Sequence, residues 1–182
     1  MQTLRECVDD LRLVVDSLDV IESELTLPLG SLRERLSRRL NGADLRLDWQ
    51  IVDLPAVDWL QPADALRITR IVQEAVANII QHGAATQVRV VTQPLPGAVE
   101  IRIEDDGTGL DTPRVSHGRG LRHIRRRAAQ LGAFVYISST VGAGTVLSLH
   151  IPLHRDREHR RTLVLTGTGQ SRAKSTVGTV DG

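Results

Sequence analysis

The stretch that most limits what this chain can fold into is a pair of strand-like runs, 86–92 and 98–104, separated by a turn containing Pro94, Pro96 and Gly97. A connection that short makes the two strands antiparallel neighbours. A sheet built on them has a face to hide, and the segments around them carry apolar stripes at helical spacing. Pro28 opens one such segment, with Leu29, Leu32, Leu36 and Leu40 inward and Arg33, Arg35, Arg38 and Arg39 outward, and Asn41-Gly42 stops it. A second runs over about 63–81 with Leu66, Ile68, Ile71, Val72, Val76, Ile79 and Ile80, closed by Gly83. A third covers roughly 120–131 and ends at Gly132.

Alternation over 44–52, through Leu45, Leu47, Trp49 and Ile51, predicts a further strand, with Trp49 and Trp59 as packing residues. Strands at 134–138 and 145–151, turned by Gly142-Ala143-Gly144, finish the domain. The order of elements predicts an α/β (α+β) fold, a two-layer sandwich of a mixed, mostly antiparallel sheet covered by helices on one face. Leu4, Val8, Leu11, Val15 and Leu18 keep a 4-3-4-3 spacing, which suits either an amphipathic helix lying on its own domain or half of a helical-bundle dimer interface. The expected division is 1–20 as a helix of that kind, 21–153 as the main domain and 154–182 as a flexible basic tail.

Composition excludes several classes. At 182 residues, 41% of them hydrophobic, the chain is one domain with extensions. A net charge of +1 and 2% aromatics argue against a nucleic-acid partner or a base-stacking platform. Cys7, the single cysteine, excludes an internal disulfide framework. No apolar run approaches the ~20 residues of a membrane span, and the first ten residues do not read as a signal peptide. A cytoplasmic location is expected, alone or as the cytoplasmic part of a larger sensor.

Four short signals carry chemistry. Glu104-Asp105-Asp106-Gly107-Thr108-Gly109 places adjacent carboxylates at a strand end before two glycines. A buried carboxylate there accepts hydrogen bonds and would suit an exocyclic amine; the plain alternative is an acidic turn. Glu74 and Asn78, four apart on one helix, interrupt an apolar pattern. Magnesium with phosphate oxygens and waters would satisfy both, and so would a solvated helix face. Gly118-Arg119-Gly120-Leu121 opens a helix whose free N–H groups can bind an anion, with Arg122 adding charge; Arg125, Arg126 and Arg127 read more simply as a solvated basic face. Gly142-Ala143-Gly144-Thr145 alone is a hairpin turn. Residues 106–120 form a loop of the length that tends to be functional.

In this order the four signals resemble the ATP-binding domain of sensor histidine kinases, the Bergerat fold shared with Hsp90, type II topoisomerase and mismatch-repair ATPases. The run Gln73-Glu74-Ala75-Val76-Ala77-Asn78-Ile79-Ile80-Gln81-His82-Gly83 is similar to the N box of the nitrate-sensor and DesK-like subfamily, and 121–132 to its second glycine box. The resemblance covers about 1–153. It implies that Asn78 ligates Mg2+ and that Glu74 holds or activates a water beside it. Asp105 would accept from the adenine amine, with Gly107 and Gly109 shaping that pocket and Thr145 supporting it. Gly118, Arg119, Gly120 and Leu121 would line the triphosphate below a lid at about 110–117, with His82 on the phosphate side. Residues 1–20 would be the C-terminal part of a dimerisation helix, which implies a homodimer.

Two departures stand out. Gln81 occupies a place where many relatives have lysine. The six histidines lie at 82, 117, 123, 150, 154 and 159, so the phosphoacceptor histidine of an upstream helix is missing and would come from another domain or chain. The expected function is therefore the ATP-binding catalytic domain of a histidine kinase with a response regulator downstream. The alternative is a nucleotide-binding regulator or scaffold of the same fold without kinase activity. Another ATPase of the superfamily, or an anti-sigma serine kinase, fits the arginine-rich helix less well. No P-loop, zinc-protease motif or nucleophile elbow is present.

Overall fold

A computed structural model describes residues 25–109 and 119–154. The expected dimerisation helix at 1–20, the lid at 110–117, Gly118 and the tail beyond 154 lie outside the described residues. The chain runs α1 (Thr26–Asn41), β1 (Arg46–Gln50), α2 (Pro62–His82), β2 (Gln87–Leu95), β3 (Ala98–Asp105), α3 (Arg119–Gln130), β4 (Phe134–Ser139) and β5 (Thr145–Pro152). The strands form one sheet in the order β1-β2-β3-β5-β4. β1 pairs with β2 in parallel, and the other three pairings are antiparallel, as expected of a mixed, mostly antiparallel sheet.

Alternation along the strands sends one row of side chains into the helix layer. Val88 and Val90 of β2, Ile101 and Ile103 of β3, and Leu147 and Leu149 of β5 are buried there. They meet Leu29, Leu32, Leu36 and Leu40 of α1, Ile68, Ile71, Val72 and Val76 of α2, and Ile124 and Ala128 of α3 within one core. Each buried valine, leucine or isoleucine contributes about 1.5–3 kcal/mol by leaving water. Trp49 and Trp59 are half-buried packing residues as expected, and the Trp59 indole donates to the Pro152 carbonyl at 2.9 Å. Among the described residues no helix is long and apolar enough to cross a membrane.

Several boundaries differ from the sequence reading, each for a physical reason. The first strand is Arg46–Gln50, shorter than 44–52, because its ladder lasts only while β2 runs beside it, from Arg46↔Gln87 to Gln50↔Val91. β2 in turn reaches Leu95 and includes Pro94, which the sequence placed in the turn. β1 has ended by then, so Pro94 falls where the strand has an open side and a missing N–H is tolerated. Pro28 lies inside the first turn of α1, which begins at Thr26. α2 starts at Pro62 with a capping box between Gln61 and Asp64 and ends as Gly83 N–H bonds the Ile79 carbonyl at 2.8 Å.

The acidic run at the end of β3 is divided among three tasks. Glu104 points to the uncovered face of the sheet, with Arg102 at 2.5 Å and Arg89 at 3.7 Å. Asp106 turns back to the start of β2, where Thr86 N–H (2.8 Å), the Thr86 hydroxyl (2.6 Å) and Gln87 N–H (2.9 Å) donate to its carboxylate. The Thr86 hydroxyl, then the two backbone donors, hold its pKa down at about 2. Asp105 alone faces the helix layer.

Asp106 therefore fastens the end of β3 to the start of β2, and its effect on stability has a definite sign. A folded pKa of about 2 against an ordinary 3.8 means stability present above pH ~4 and lost as pH falls toward 2. Asp106→Ala is expected to cost about 1 kcal/mol at pH 7, a modest figure because the group is exposed. Urea unfolding of both proteins should show that difference at pH 7 and show it shrinking toward pH 2. A difference that does not change with pH would contradict this role.

Candidate functional site

α2 is apolar on the face that meets the sheet and α3, and Glu74 and Asn78 break that pattern one turn apart. Both side chains are half-buried. They converge on Gly120, at the second residue of α3. A methyl group there would lie 2.7 Å from Glu74 Oε1, 2.8 Å from Asn78 Oδ1 and 3.0 Å from Asn78 Nδ2. A side chain at 120 would push the ends of Glu74 and Asn78 away from the first turn of α3. The arrangement places two oxygen donors beside the N-terminus of a 12-residue helix, whose first-turn N–H groups carry partial positive charge.

Two protein oxygens meeting at one point suit a hard divalent cation that keeps waters and takes its remaining oxygens from phosphate. The donor set thus fits magnesium in kind. Among the described residues no group of three or more His, Cys, Asp or Glu could hold a metal alone. Any cation here would share its coordination with a ligand.

The second group surrounds Asp105. Gly107 N–H donates to Asp105 Oδ1 at 2.9 Å, and Thr145, the register partner of Asp105 on β5, stands beside it. Burial raises the Asp105 pKa above the ordinary carboxylate value; Gly107 and the neighbouring Thr145 oppose the rise, and the Asp106 charge adds to it. The loop that carries Gly107 and Gly109 is held from both sides. Thr108 N–H donates to the Gly83 carbonyl at 2.7 Å, and Gly142 N–H donates to the Thr108 carbonyl at 2.7 Å. Because Gly83 caps α2, this hold sets Asp105 near the end of α2 that carries Asn78.

The structure thus gathers the residues singled out in the sequence into two groups, Glu74–Asn78–Gly120 and Asp105–Gly107–Thr145, with Gly109 in the loop of the second. Leu121 is half-buried against the core and secures α3. Arg119 is the first residue of α3. His82, the last residue of α2, is exposed, and no hydrogen bond among the described residues joins it to either group.

Two contributors go beyond the sequence reading, which took Gly144 only as part of a hairpin turn and did not single out Ser139. Gly144 has φ +84°, and a Cβ on it would stand 1.9 Å from the Asp105 carbonyl oxygen, so glycine is required for β5 to start beside Asp105. Ser139 ends β4 with its hydroxyl 3.0 Å from both the Gly144 carbonyl and Thr145 Oγ1. The available signal was its parity with Val135 and Ile137, which puts a polar residue on the helix-facing side of a strand.

This geometry can be set beside known proteins. Residues 63–155 match the family described as histidine kinase-, DNA gyrase B-, and HSP90-like ATPase. The nitrate/nitrite sensor protein NarQ of Escherichia coli (strain K12) is 31% identical over 153 residues, covering 81% of this chain and 26% of that protein. The sensor histidine kinase YxjM of Bacillus subtilis (strain 168) is 28% identical over 153 residues, covering 84% of this chain and 36% of that protein. The chain therefore spans about a quarter to a third of the length of these relatives. Among solved structures, the blue-light activated histidine kinase of Erythrobacter litoralis EL346 superposes with a TM-score of 0.67 at 25% identity, over 84% of this chain and 49% of that one. The ATP binding domain of PrrB from Mycobacterium tuberculosis does so with a TM-score of 0.51 at 26% identity, over 67% of this chain and 91% of that one. The match spans α2, both site groups and the whole sheet except β1, and the chain belongs to the histidine kinase-, DNA gyrase B-, and HSP90-like ATPase family.

Proposed function

We propose that this chain is the ATP-binding catalytic domain of a two-component sensor histidine kinase, transferring the γ-phosphoryl group of ATP to a histidine not present in this chain. The observation that carries the reading is the meeting of Glu74 Oε1 and Asn78 Oδ1 with the N-terminus of α3 at Gly120. Oxygen donors for a cation and N–H donors for an anion stand side by side there, which is what a metal–triphosphate needs.

In this reading adenine lies at Asp105 and the triphosphate at the start of α3. The Asp105 carboxylate accepts from the exocyclic amine and repels the carbonyl that guanine carries in its place. Gly107 and Gly109 shape that pocket, and Thr145 supports it. Gly118, Arg119, Gly120 and Leu121 line the phosphates, with His82 on that side and residues 110–117 as a lid. Asn78 and Glu74 hold Mg2+, Glu74 through a water. Bound Mg2+ supplies charge neutralisation across the phosphate oxygens. Gln81 adds no charge, so the phosphate charge that remains falls to the α3 amides and to arginine. In the transfer, the bond from the γ-phosphorus to the ADP oxygen breaks as one to an imidazole nitrogen forms, and the work of the protein is positioning.

The phosphoacceptor domain of the same or another chain, a response regulator, a homodimer formed through 1–20, and a cytoplasmic location complete the reading. The shared fold, the sensor-kinase relatives and the chemistry of the two groups support it.

Three outcomes are expected. Calorimetric titration should show magnesium-dependent binding of ATP in preference to GTP, and Asp105→Asn should reduce ATP affinity about 10- to 100-fold. Since burial raises the Asp105 pKa, the preference should weaken on acidification at a higher pH than an ordinary carboxylate would produce, in wild type and not in Asp105→Asn. Asn78→Ala should abolish the effect of Mg2+ on affinity while leaving the preference for adenine. Finally, with radiolabelled ATP and a separately supplied phosphoacceptor helix domain, label stable to base and labile to acid should appear on histidine. Its absence despite tight ATP binding would favour a nucleotide-binding regulator.

A further inference from the structure

The sheet ends at β4, and that edge differs from the opposite one. Among the described residues β4 has β5 on one side and no strand on the other. Its six residues, Phe134–Ser139, include no charge and no proline. Edge strands of native proteins are ordinarily short, charged, interrupted by proline or covered, because their unpaired N–H and C=O groups invite a further strand. β1, the opposite edge, follows that rule with five residues that include Arg46 and Asp48. β4 does not. Val135 and Ile137 pack on the core, so alternation leaves Phe134 and Tyr136 on the uncovered face, 65% and 56% exposed. They are the only phenylalanine and the only tyrosine of the chain.

The chain itself carries a segment of matching character. Residues 155–182 lie outside the described residues, and their one run of three consecutive apolar residues is Leu163-Val164-Leu165, flanked by Thr162 and Thr166. Uncharged aliphatic and β-branched residues suit a strand. In that form Leu163 and Leu165 fall on one face and Val164 on the other. Apolar atoms then stand beside both rows of β4, Phe134 with Tyr136 and Val135 with Ile137.

Reach sets the direction. The last described residue, His154, lies just past β5, and Phe134 pairs with His150 near the end of that strand. The chain therefore leaves the sheet near the first residue of β4. Residues 155–161 span about 23 Å when extended, and passing under β4 to its open edge takes two strand spacings, about 10 Å. A start at the Ser139 end would add the length of β4, about 20 Å, which exhausts that span. All seven linking residues, Arg155, Asp156, Arg157, Glu158, His159, Arg160 and Arg161, are ionisable, which suits a crossing through water.

We propose that residues 162–166 dock on the open edge of β4 as a sixth strand, running parallel to it from the Phe134 end. The inference goes beyond the nucleotide reading and does not rest on it. The docked segment gives the outward N–H and C=O groups of β4 partners and shields Phe134 and Tyr136.

The test is amide hydrogen exchange on the full chain. In wild type the β4 amides that point away from β5 should exchange at least about 10-fold more slowly than in an unfolded peptide. Val164→Pro, which removes a backbone donor outside the core, should abolish that protection while β3 and β5 amides stay protected. Thr176→Pro, further along the same segment, should leave it intact. No protection of the outward β4 amides in wild type, or equal protection in wild type and Val164→Pro, would overturn the proposal. So would an equal loss in Thr176→Pro. Protection that falls as the chain is diluted would assign the docked strand to a second copy and overturn the intrachain pairing.

Discussion

The candidate site depends on one tight backbone contact, the hold of the Gly83 carbonyl on the loop that follows β3. Thr108 donates to that oxygen through its N–H at 2.7 Å and through its hydroxyl at 3.3 Å, and a Cβ on Gly107 would sit 2.0 Å from it. The carbonyl belongs to the residue that caps α2, so the contact joins the end of a helix to the end of a strand. On its other side the loop is stitched to the β4–β5 hairpin through Gly142 N–H and the Thr108 carbonyl. Backbone groups at a helix end need partners, and here they find them in the loop. The result is a fixed relation between Asp105, at the end of β3, and Asn78, a little over one turn before the end of α2.

Three successive carboxylates at the end of a strand would repel one another if they pointed the same way. Strand alternation separates Glu104 from Asp105, and the loop turns Asp106 back toward β2. Glu104 meets arginines on the uncovered face, and Asp106 is satisfied by three donors. Asp105 receives a bond from Gly107 N–H, but it is also the one that burial disfavours as an ion. A carboxylate whose charge is least compensated gains most from a further donor. The Asp106 charge beside it raises the same demand, so the fastening residue also tunes its neighbour.

How much of this could be read from the sequence depended on the range of the interaction concerned. The helix expected over 63–81 is Pro62–His82, because an apolar period of 3.6 and a capping glycine are local facts. Glu74 and Asn78 were legible for the same reason, as polar breaks in a local pattern. The parallel pairing of β1 with β2 was not, since register between distant strands is set by packing that no short window contains. Nor was the burial of Glu100. Alternation assigns it to the uncovered face, yet Gln93, Ser148 and His150 gather round it and leave it only 6% exposed. Gly144 and Ser139 were hidden in another way: a turn glycine and a strand serine look ordinary until Asp105 is known to lie against them.

The two halves of the site rest on different layers of the fold. The Asp105 half is made from the ends of β3, β4 and β5, and its shape follows from strand register, as in Asp105↔Thr145. The Glu74–Asn78 half is made where α3 begins against α2, and its shape follows from helix packing. Gly120 permits that packing at its closest point, and the apolar anchors Ile124 and Ala128 hold α3 down one turn and two turns later. A small change in the seating of α3 would therefore alter the polar group at Glu74 and Asn78 while leaving the hydrogen bonds of Asp105 in place. A ligand that spans both halves would sense the helix layer with one end and the sheet with the other, and its affinity would report whether the two layers hold their relation.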